Sequence, residues 1–210
     1  MDTNIFPGNI RAGGTVYAAA GFEPAITRLG LAQESLRPFA IRATDWRVHD
    51  AAQTPLPGTA ATDDLEIATG AIGTSPLTIR GGDMKALGAT TRYARAQVPI
   101  PNEYVSGQTL VLRFSASMKT TVADVSCTLD VQAYSNDEDD TVSADLCATA
   151  AHDINGGTSY SDYDFTITPT SLVAGQTLDV RIAIACNDGA TATAVIPIIG
   201  AAKLLCDCKG

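Results

Sequence analysis

Five cysteines and two histidines are the side chains of this sequence best suited to nucleophilic, redox or metal chemistry. Cys206 and Cys208 form a C-x-C pair, which could supply half of a zinc site. No second close cysteine pair accompanies it, and His49 and His152 stand far apart in the sequence. On a strand, residues i and i+2 point to the same face, so we interpret the pair as two neighbouring thiols. We expect no metal and no cofactor.

The cysteines as a set favour free thiols. Their number is odd, and several fall within strand-like stretches. Residues 1–11 lack the basic start and apolar stretch of a secretory signal. A free cysteine packs as a small buried hydrophobe, and thiols stay reduced in the cytosol. We therefore predict free cysteines in a protein that folds in the cytosol, and the alternative is a disulfide framework.

Motifs of the common catalytic sites are missing from the sequence. It contains no Gly-x-Ser-x-Gly elbow, no Gly-Lys-Ser/Thr phosphate loop and no His-Glu-x-x-His helix. His49 follows Trp46 in a strand-like stretch and is interpreted as a satisfied structural histidine. We predict no catalytic residue and a protein that is not an enzyme. A glycosidase remains the alternative, because its carboxylate pair is defined by spacing in the fold.

The negative charge of the chain is regional. The net charge is −9, and residues 119–188 carry twelve acidic side chains against two basic ones. A nucleic-acid surface needs a basic patch, and a membrane-spanning helix needs about 18 apolar residues in a row. We expect no nucleic acid and no membrane partner. The acidic run at 136–140 is interpreted as a solvated loop, because it lacks the glycine and distal Glu of an EF-hand; a weak calcium site is the alternative.

Alternation of apolar and polar residues predicts an all-β fold. The clearest strands are residues 110–118, 127–134 and 178–186, in which every second side chain is apolar. Weaker strand patterns, separated by Gly, Pro and Asn turns, cover residues 39–48, 65–69, 77–80, 91–99, 145–150, 163–168 and 192–207. Many short strands with regular turns are typical of an antiparallel β-sandwich, here predicted to be a jelly roll.

Two segments of the chain echo each other. Residues 105–116 and 173–184 share a Gly-Gln-Thr-Leu core followed by alternating apolar residues in the same phase. Two copies are too few for a repeat array, so we interpret them as equivalent turn-and-strand corners of the sandwich. In each copy the glycine supplies a turn that needs a positive φ. A duplicated ligand loop is the alternative.

Residues 1–38 differ in texture from the rest of the chain, and residues 24–37 could hold one short helix. Isolated apolar residues stand among Pro-Gly, Gly-Gly and alanine stretches. Such a segment cannot bury much of its own surface. We predict an N-terminal arm over 1–38 that docks on a neighbour, and a jelly-roll body over 39–210. The predicted partner-binding residues are Ile5, Phe6, Ile10, Val16, Tyr17 and Phe22.

Aromatic residues bear on the main alternative function, a carbohydrate-binding or adhesin-type module of, for example, a tail or fibre. Sugar-binding sandwiches present exposed aromatic rings as platforms. Trp46, Tyr134, Tyr160 and Tyr163 are the candidates, although aromatic residues make up only 6% of the chain. Tyr and Trp in β proteins more often pack with their polar tip at the surface.

Three segments carry a resemblance to a known family. The stretches at residues 89–107, 116–124 and 198–206 resemble structural proteins of tailed-bacteriophage virions, of the capsid cement or decoration type. The resemblance covers roughly residues 39–210. It implies a jelly-roll body, often trimeric, that binds the major capsid protein on the outside of the capsid after assembly in the host cytoplasm. It also implies no catalytic residues, and five cysteines are more than it leads us to expect.

Overall fold

Alternating apolar and polar residues build two antiparallel β-sheets in the computed structural model of this chain, which describes residues 36–136, 141–189 and 193–208. The strands are β1 (Arg37–Ile41), β2 (Glu66–Ala68), β3 (Thr78–Arg80), β4 (Ala86–Pro99), β5 (Leu110–Met118), β6 (Ser126–Asn136), β7 (His152–Asp153), β8 (Ser161–Ile167), β9 (Thr177–Asp188) and β10 (Pro197–Cys206). Among these residues the only helical element is a 3-10 turn at Ala43–Asp45. No described helix has the length and apolar character needed to cross a membrane.

The two sheets form the predicted sandwich. One sheet has six strands in the order β2-β3-β10-β5-β8, and β1 also pairs with β10. The other has four strands in the order β4-β9-β6-β7. Strand β10 has β5 along one edge, while β3 and β1 share its other edge. The all-β, antiparallel β-sandwich of jelly-roll type is therefore confirmed.

The core lies between the sheets and consists of the apolar row of each strand. In β9, every second residue from Leu178 to Asp188 is buried. Aromatic rings extend this core, since Phe114 lies 6.0 Å from Trp46 and 5.8 Å from Phe165, centroid to centroid. Burial of one such side chain contributes on the order of 1.5–3 kcal/mol, so the apolar rows provide the main stabilisation of the fold.

The predicted glycine turns are confirmed. Gly107 and Gly175 have φ angles of +79° and +87°, in the region that favours glycine. In each turn the amide of the next residue donates to the carbonyl three residues earlier, at 3.0 and 3.3 Å. The turns lead into β5 and β9, which lie inside different sheets. The sequence echo thus marks two equivalent corners of the sandwich.

Two of the weaker strand predictions are wrong. The strand predicted over 39–48 is β1, which ends at Ile41 and is followed by the 3-10 turn. The segment 145–150 makes only an isolated bridge, between Cys147 and Ile167. The Asp145 carboxylate accepts the amides of Ala133 and Cys147, both at 3.0 Å. The backbone of the segment bonds to two different partners, since the Leu146 amide donates to Ala133 and the Ala148 amide donates to Thr166, so it forms no continuous ladder with one strand.

The prediction of free cysteines is wrong for one pair. Cys127 on β6 and Cys186 on β9 form a disulfide. Both belong to the inward rows of their strands, and the register places them directly opposite each other with Cα atoms 4.1 Å apart. Alternation alone could not reveal this register. Cys147, Cys206 and Cys208 are free.

The C-x-C pair has the predicted geometry. The sulfurs of Cys206 and Cys208 lie 3.5 Å apart and both residues are buried. Burial raises the pKa of the Cys206 thiol to about 12, with the hydrogen bond to Cys208 adding to the effect. This thiol is therefore protonated at neutral pH and is a poor nucleophile and metal ligand.

Several predictions fall on other parts of the chain. The six partner-binding residues of the arm, Ile5, Phe6, Ile10, Val16, Tyr17 and Phe22, lie outside the described residues. So do residues 137–140, which make up most of the acidic run. The division into an arm over 1–38 and a body over 39–210 stays a prediction, with β1 beginning at Arg37.

Candidate functional site

Polar side chains line up across the outer face of the four-stranded sheet. On β4, β9 and β6, register places Arg95, Arg181 and Gln132 side by side. Asp179 and Tyr134 form part of the next row. Because the alternate residues of these strands fill the core, these five side chains point away from it.

These side chains border a shallow cleft of about 350 Å³. Its lining residues come from three strands and two flanking segments: His49, Arg95, Gln132, Tyr134, Val142, Asp179 and Arg181. We call it the open-face cleft. Most of the lining groups can donate or accept hydrogen bonds, whereas Tyr134 and Val142 supply apolar surface, a combination typical of small-ligand sites.

Arg95 and Asp179 form the rigid part of the open-face cleft. The Arg95 Nε donates to Asp179 Oδ1 at 2.6 Å, and Nη2 donates to the other carboxylate oxygen. The hydrogen bond to Asp179 raises the pKa of the Arg95 guanidinium. Two parallel hydrogen bonds fix the plane of both groups, so this pair presents a preorganised polar edge.

Arg181 is held differently, without a carboxylate partner among the described residues. Its guanidinium donates to Gln132 Oε1 and lies 5.1 Å from the centroid of the Tyr93 ring. The Arg181 Nε is buried and has no hydrogen-bond partner. A half-buried cation of this kind gains free energy from a ligand that supplies oxygen acceptors.

His49 closes one side of the open-face cleft. It lies in a bend beyond the bridge residue Arg47, so the predicted strand position is wrong. Its Nδ1 is 3.6 Å from Asp64 Oδ1, and both atoms are buried without a hydrogen-bond partner. Its Nε2 lies 3.7 Å from Asp63 Oδ2, so both ring nitrogens face carboxylates, and the interpretation as a structural histidine stays a prediction. The ring packs 4.8 Å from that of Tyr93, which fixes its orientation.

His49 belongs to a group of three side chains that have atoms able to ligate a metal ion. One ligand atom each from His49, Asp50 and Asp64 lies within 4.8 Å of the others. Asp50 is exposed, and exposed acidic groups are common without a metal. This cluster alone therefore assigns no metal site.

The four predicted sugar platforms lie in different places. Trp46 is only 1% exposed and belongs to the core, so its prediction as a platform is wrong. Tyr160 is 48% exposed and lies next to Gly200 in the six-stranded sheet. Tyr163 is half-buried beside the ring of His152. Tyr134 alone of the four lines the open-face cleft.

Sequence reasoning missed the charged residues of the cleft. Arg95, Asp179 and Arg181 occupy outward positions of two predicted strands. The signal was present, because a long charged side chain at a polar strand position must face outward. Their convergence depends on the pairing of β4 with β9, which no spacing within one strand reveals.

Comparison with known proteins gives no family. No protein-family model matches the sequence, and no curated protein matches it. Among solved structures, the chain is similar to the xylan-binding module CBM15, with a TM-score of 0.46 and 14% identity over 84% of this chain and 100% of that one. It is similar to an apo-form cyclase from Fischerella sp., with a TM-score of 0.40 and 12% identity over 83% and 89%.

A third similarity is to a chain from the structure of infectious bursal disease virus Gx strain. The TM-score is 0.38 and the identity 13%, over 84% of this chain and 33% of that one. These three proteins have unrelated names and low identity to this chain. The likenesses therefore carry no argument about function.

Proposed function

We propose that this protein is a non-enzymatic β-sandwich that binds a carbohydrate in the open-face cleft. The observation that carries the proposal is the arrangement of Tyr134, Arg95 and Arg181 around one cleft of about 350 Å³. Tyr134 offers a ring edge or face to the apolar side of a sugar ring. The guanidinium groups and the Asp179 carboxylate offer planar donors and acceptors to its hydroxyls.

The polar groups of the cleft suit a neutral or acidic sugar. Arg95 is already neutralised by Asp179, and their paired hydrogen bonds hold both groups in place. Arg181 has no carboxylate partner among the described residues, and its Nε lacks a hydrogen-bond partner. A ligand oxygen that binds the accessible part of the Arg181 guanidinium would therefore not have to break an ion pair.

A glycan array followed by calorimetry tests this proposal. The wild-type chain is expected to bind one class of glycan, and Tyr134→Ala and Arg181→Gln are each expected to weaken binding roughly tenfold, equivalent to about 1.4 kcal/mol. Tyr160→Ala is the matched control, because Tyr160 is exposed and lies outside the cleft. It should bind like the wild type. No glycan binding by the wild type, or unchanged binding by Tyr134→Ala, would contradict the proposal.

The second candidate function is a virion structural protein of the cement or decoration type. It is favoured by the resemblance carried by residues 89–107, 116–124 and 198–206, which contribute to β4, β5 and β10. In this candidate function the sandwich is a rigid trimeric body on the outside of a phage capsid, and residues 1–38 contact the major capsid protein. Several weak contacts per trimer would hold it firmly through multivalency.

Deletion of residues 1–35 tests the second candidate while leaving β1 intact, since β1 begins at Arg37. The full chain is expected to form a trimer by light scattering and to sediment with capsids of the matching phage. The deletion variant is expected to fold but to lose capsid binding. A full chain that is monomeric and does not sediment with capsids would contradict this candidate. Capsid binding without glycan affinity would favour the virion structural protein over the carbohydrate-binding protein.

A further inference from the structure

A buried carboxylate lies at one corner of the sandwich, away from the open-face cleft. Asp188 is the last residue of β9 and continues its inward row, next after Cys186. It is 0% exposed. Its Oδ1 accepts the amide of Asp124 at 2.7 Å, but its Oδ2 is buried and has no hydrogen-bond partner among the described residues. An ionised carboxylate in this position loses its hydration and gains too little in return.

A second aspartate joins this corner to solvent. Asp124 is exposed, and its Oδ1 accepts the amide of Gly189 at 3.2 Å. The Asp124 amide thus donates to the Asp188 carboxylate, while the Asp124 carboxylate accepts the amide of Gly189, the residue after Asp188. Asp188 is buried and Asp124 is exposed, and hydrogen bonds join their two segments.

The donor atoms at this corner are oxygens. The nearest cysteines along the strands, Cys127 and Cys186, are joined in the disulfide and offer no thiolate. Oxygen ligands select hard cations such as Ca²⁺ over softer metals. Residues 119–188, to which both aspartates belong, hold twelve acidic against two basic side chains, so this part of the chain attracts cations.

We propose that a hard divalent cation, Ca²⁺, binds at the corner formed by Asp124 and Asp188. The cation takes the buried Asp188 Oδ2 as a ligand and shares the Asp124 carboxylate, with water completing its shell. It ties the segment before β6 to the end of β9. This site is independent of carbohydrate binding and of capsid binding.

Calcium titration of the full chain tests the site. After removal of divalent ions with EDTA, Ca²⁺ is expected to bind by calorimetry and to raise the Tm by on the order of 5 °C at saturation. Asp188→Asn keeps the shape of the side chain and should abolish both effects. Asp124→Asn removes an exposed carboxylate, so it should fold normally and bind roughly tenfold more weakly. Asp162→Asn removes one exposed acid from the same region and should behave like the wild type.

Two results would overturn the proposal. Calcium binding that persists unchanged in Asp188→Asn and Asp124→Asn would place the ion elsewhere, for example at the acidic run 136–140 or beside His49. Absence of any calcium effect, together with an unchanged or raised Tm in Asp188→Asn, would mean that Asp188 holds no cation. If Asp188→Asn fails to fold, the comparison of Asp124→Asn with Asp162→Asn decides between these outcomes.

Discussion

Cys127 and Cys186 lie directly opposite each other on β6 and β9, and their disulfide joins two neighbouring strands of the four-stranded sheet. Both residues are fully buried in the core. The bond closes a loop between residues 59 positions apart in the sequence. The same two strands carry Gln132, Tyr134, Asp179 and Arg181, so the disulfide lies within the scaffold of the open-face cleft.

Loss of the disulfide is expected to destabilise the protein. The double variant Cys127→Ala/Cys186→Ala should lower the free energy of unfolding by about 2–4 kcal/mol, mainly because the unfolded chain gains freedom. Urea unfolding at pH 7 measures this. Cys147→Ala is the control, because Cys147 is a half-buried free thiol. Equal midpoints for the wild type and the double variant would show that the bond contributes nothing.

The two glycine corners should respond to alanine in parallel. Gly107→Ala and Gly175→Ala place a side chain at φ +79° and +87°, which costs about 1–2 kcal/mol each. Gly175→Ala is expected to cost slightly more, because its new Cβ would lie 3.3 Å from Asn102 Oδ1. Gly58→Ala is the control, with ordinary φ and open space around its Cβ. A thermal midpoint for Gly107→Ala equal to that of Gly58→Ala would contradict the equivalence of the corners.

Trp46 is expected to matter for stability and not for sugar binding. Trp46→Ala should cost about 3–5 kcal/mol, because it opens a cavity beside Phe114. Trp46→Phe keeps most of the ring and removes a buried N–H without a partner, so it should cost less than about 1.5 kcal/mol. Glycan affinity of Trp46→Phe should equal that of the wild type. If Trp46→Phe lost glycan affinity while keeping wild-type stability, Trp46 would be a sugar-binding residue after all.

The pair of Arg113 and Asp164 should give a small, pH-dependent stabilisation. Arg113 Nε and Nη2 donate to the two Asp164 oxygens at 2.6 and 2.7 Å, and this pairing lowers the pKa of Asp164 below its ordinary value of 3.8. Because the pKa of Asp164 is lower in the folded state than in the unfolded state, the pair stabilises the fold fully above the unfolded-state pKa. This stabilisation is lost as the pH falls through the folded-state pKa.

The pair is largely exposed, so Asp164→Asn is expected to cost no more than about 1 kcal/mol at pH 7. This difference from the wild type should shrink in urea unfolding as the pH falls below 3.8, the ordinary value of this carboxyl group. Asp162→Asn provides the comparison, because Asp162 approaches Arg113 only to 3.9 Å. A difference that grows towards acid pH would contradict this assignment.

Sequence periodicity predicted the long strands because a strand with one buried face has an apolar residue at every second position. The prediction for 110–118 matches β5, and those for 127–134 and 178–186 lie within β6 and β9. The segment 145–150 has part of the same alternation, but its Leu146 amide donates to Ala133 and its Ala148 amide donates to Thr166, so it pairs continuously with neither strand. The alternation of one segment does not reveal which neighbours its backbone will bond to.

The candidate sites depend on contacts between strands, which the sequence does not display. Arg95 and Arg181 are 86 positions apart in the sequence and opposite each other in the sheet. The same holds for Cys127 and Cys186, whose pairing decided between free thiols and a disulfide. Asp188 lies just beyond the strand predicted over 178–186, yet it occupies the inward row of β9. In each case the residue types were visible and the register was not.

The position of β10 affects how the chain can fold during its synthesis. Strand β10 is the last of the described strands to leave the ribosome, yet β1, β3 and β5 all pair with it. Until then, a nascent chain holds β1, β3 and β5 without their common neighbour, and their edges stay open to wrong pairings. The six-stranded sheet therefore reaches its final strand pairing only after residues 197–206 have been translated.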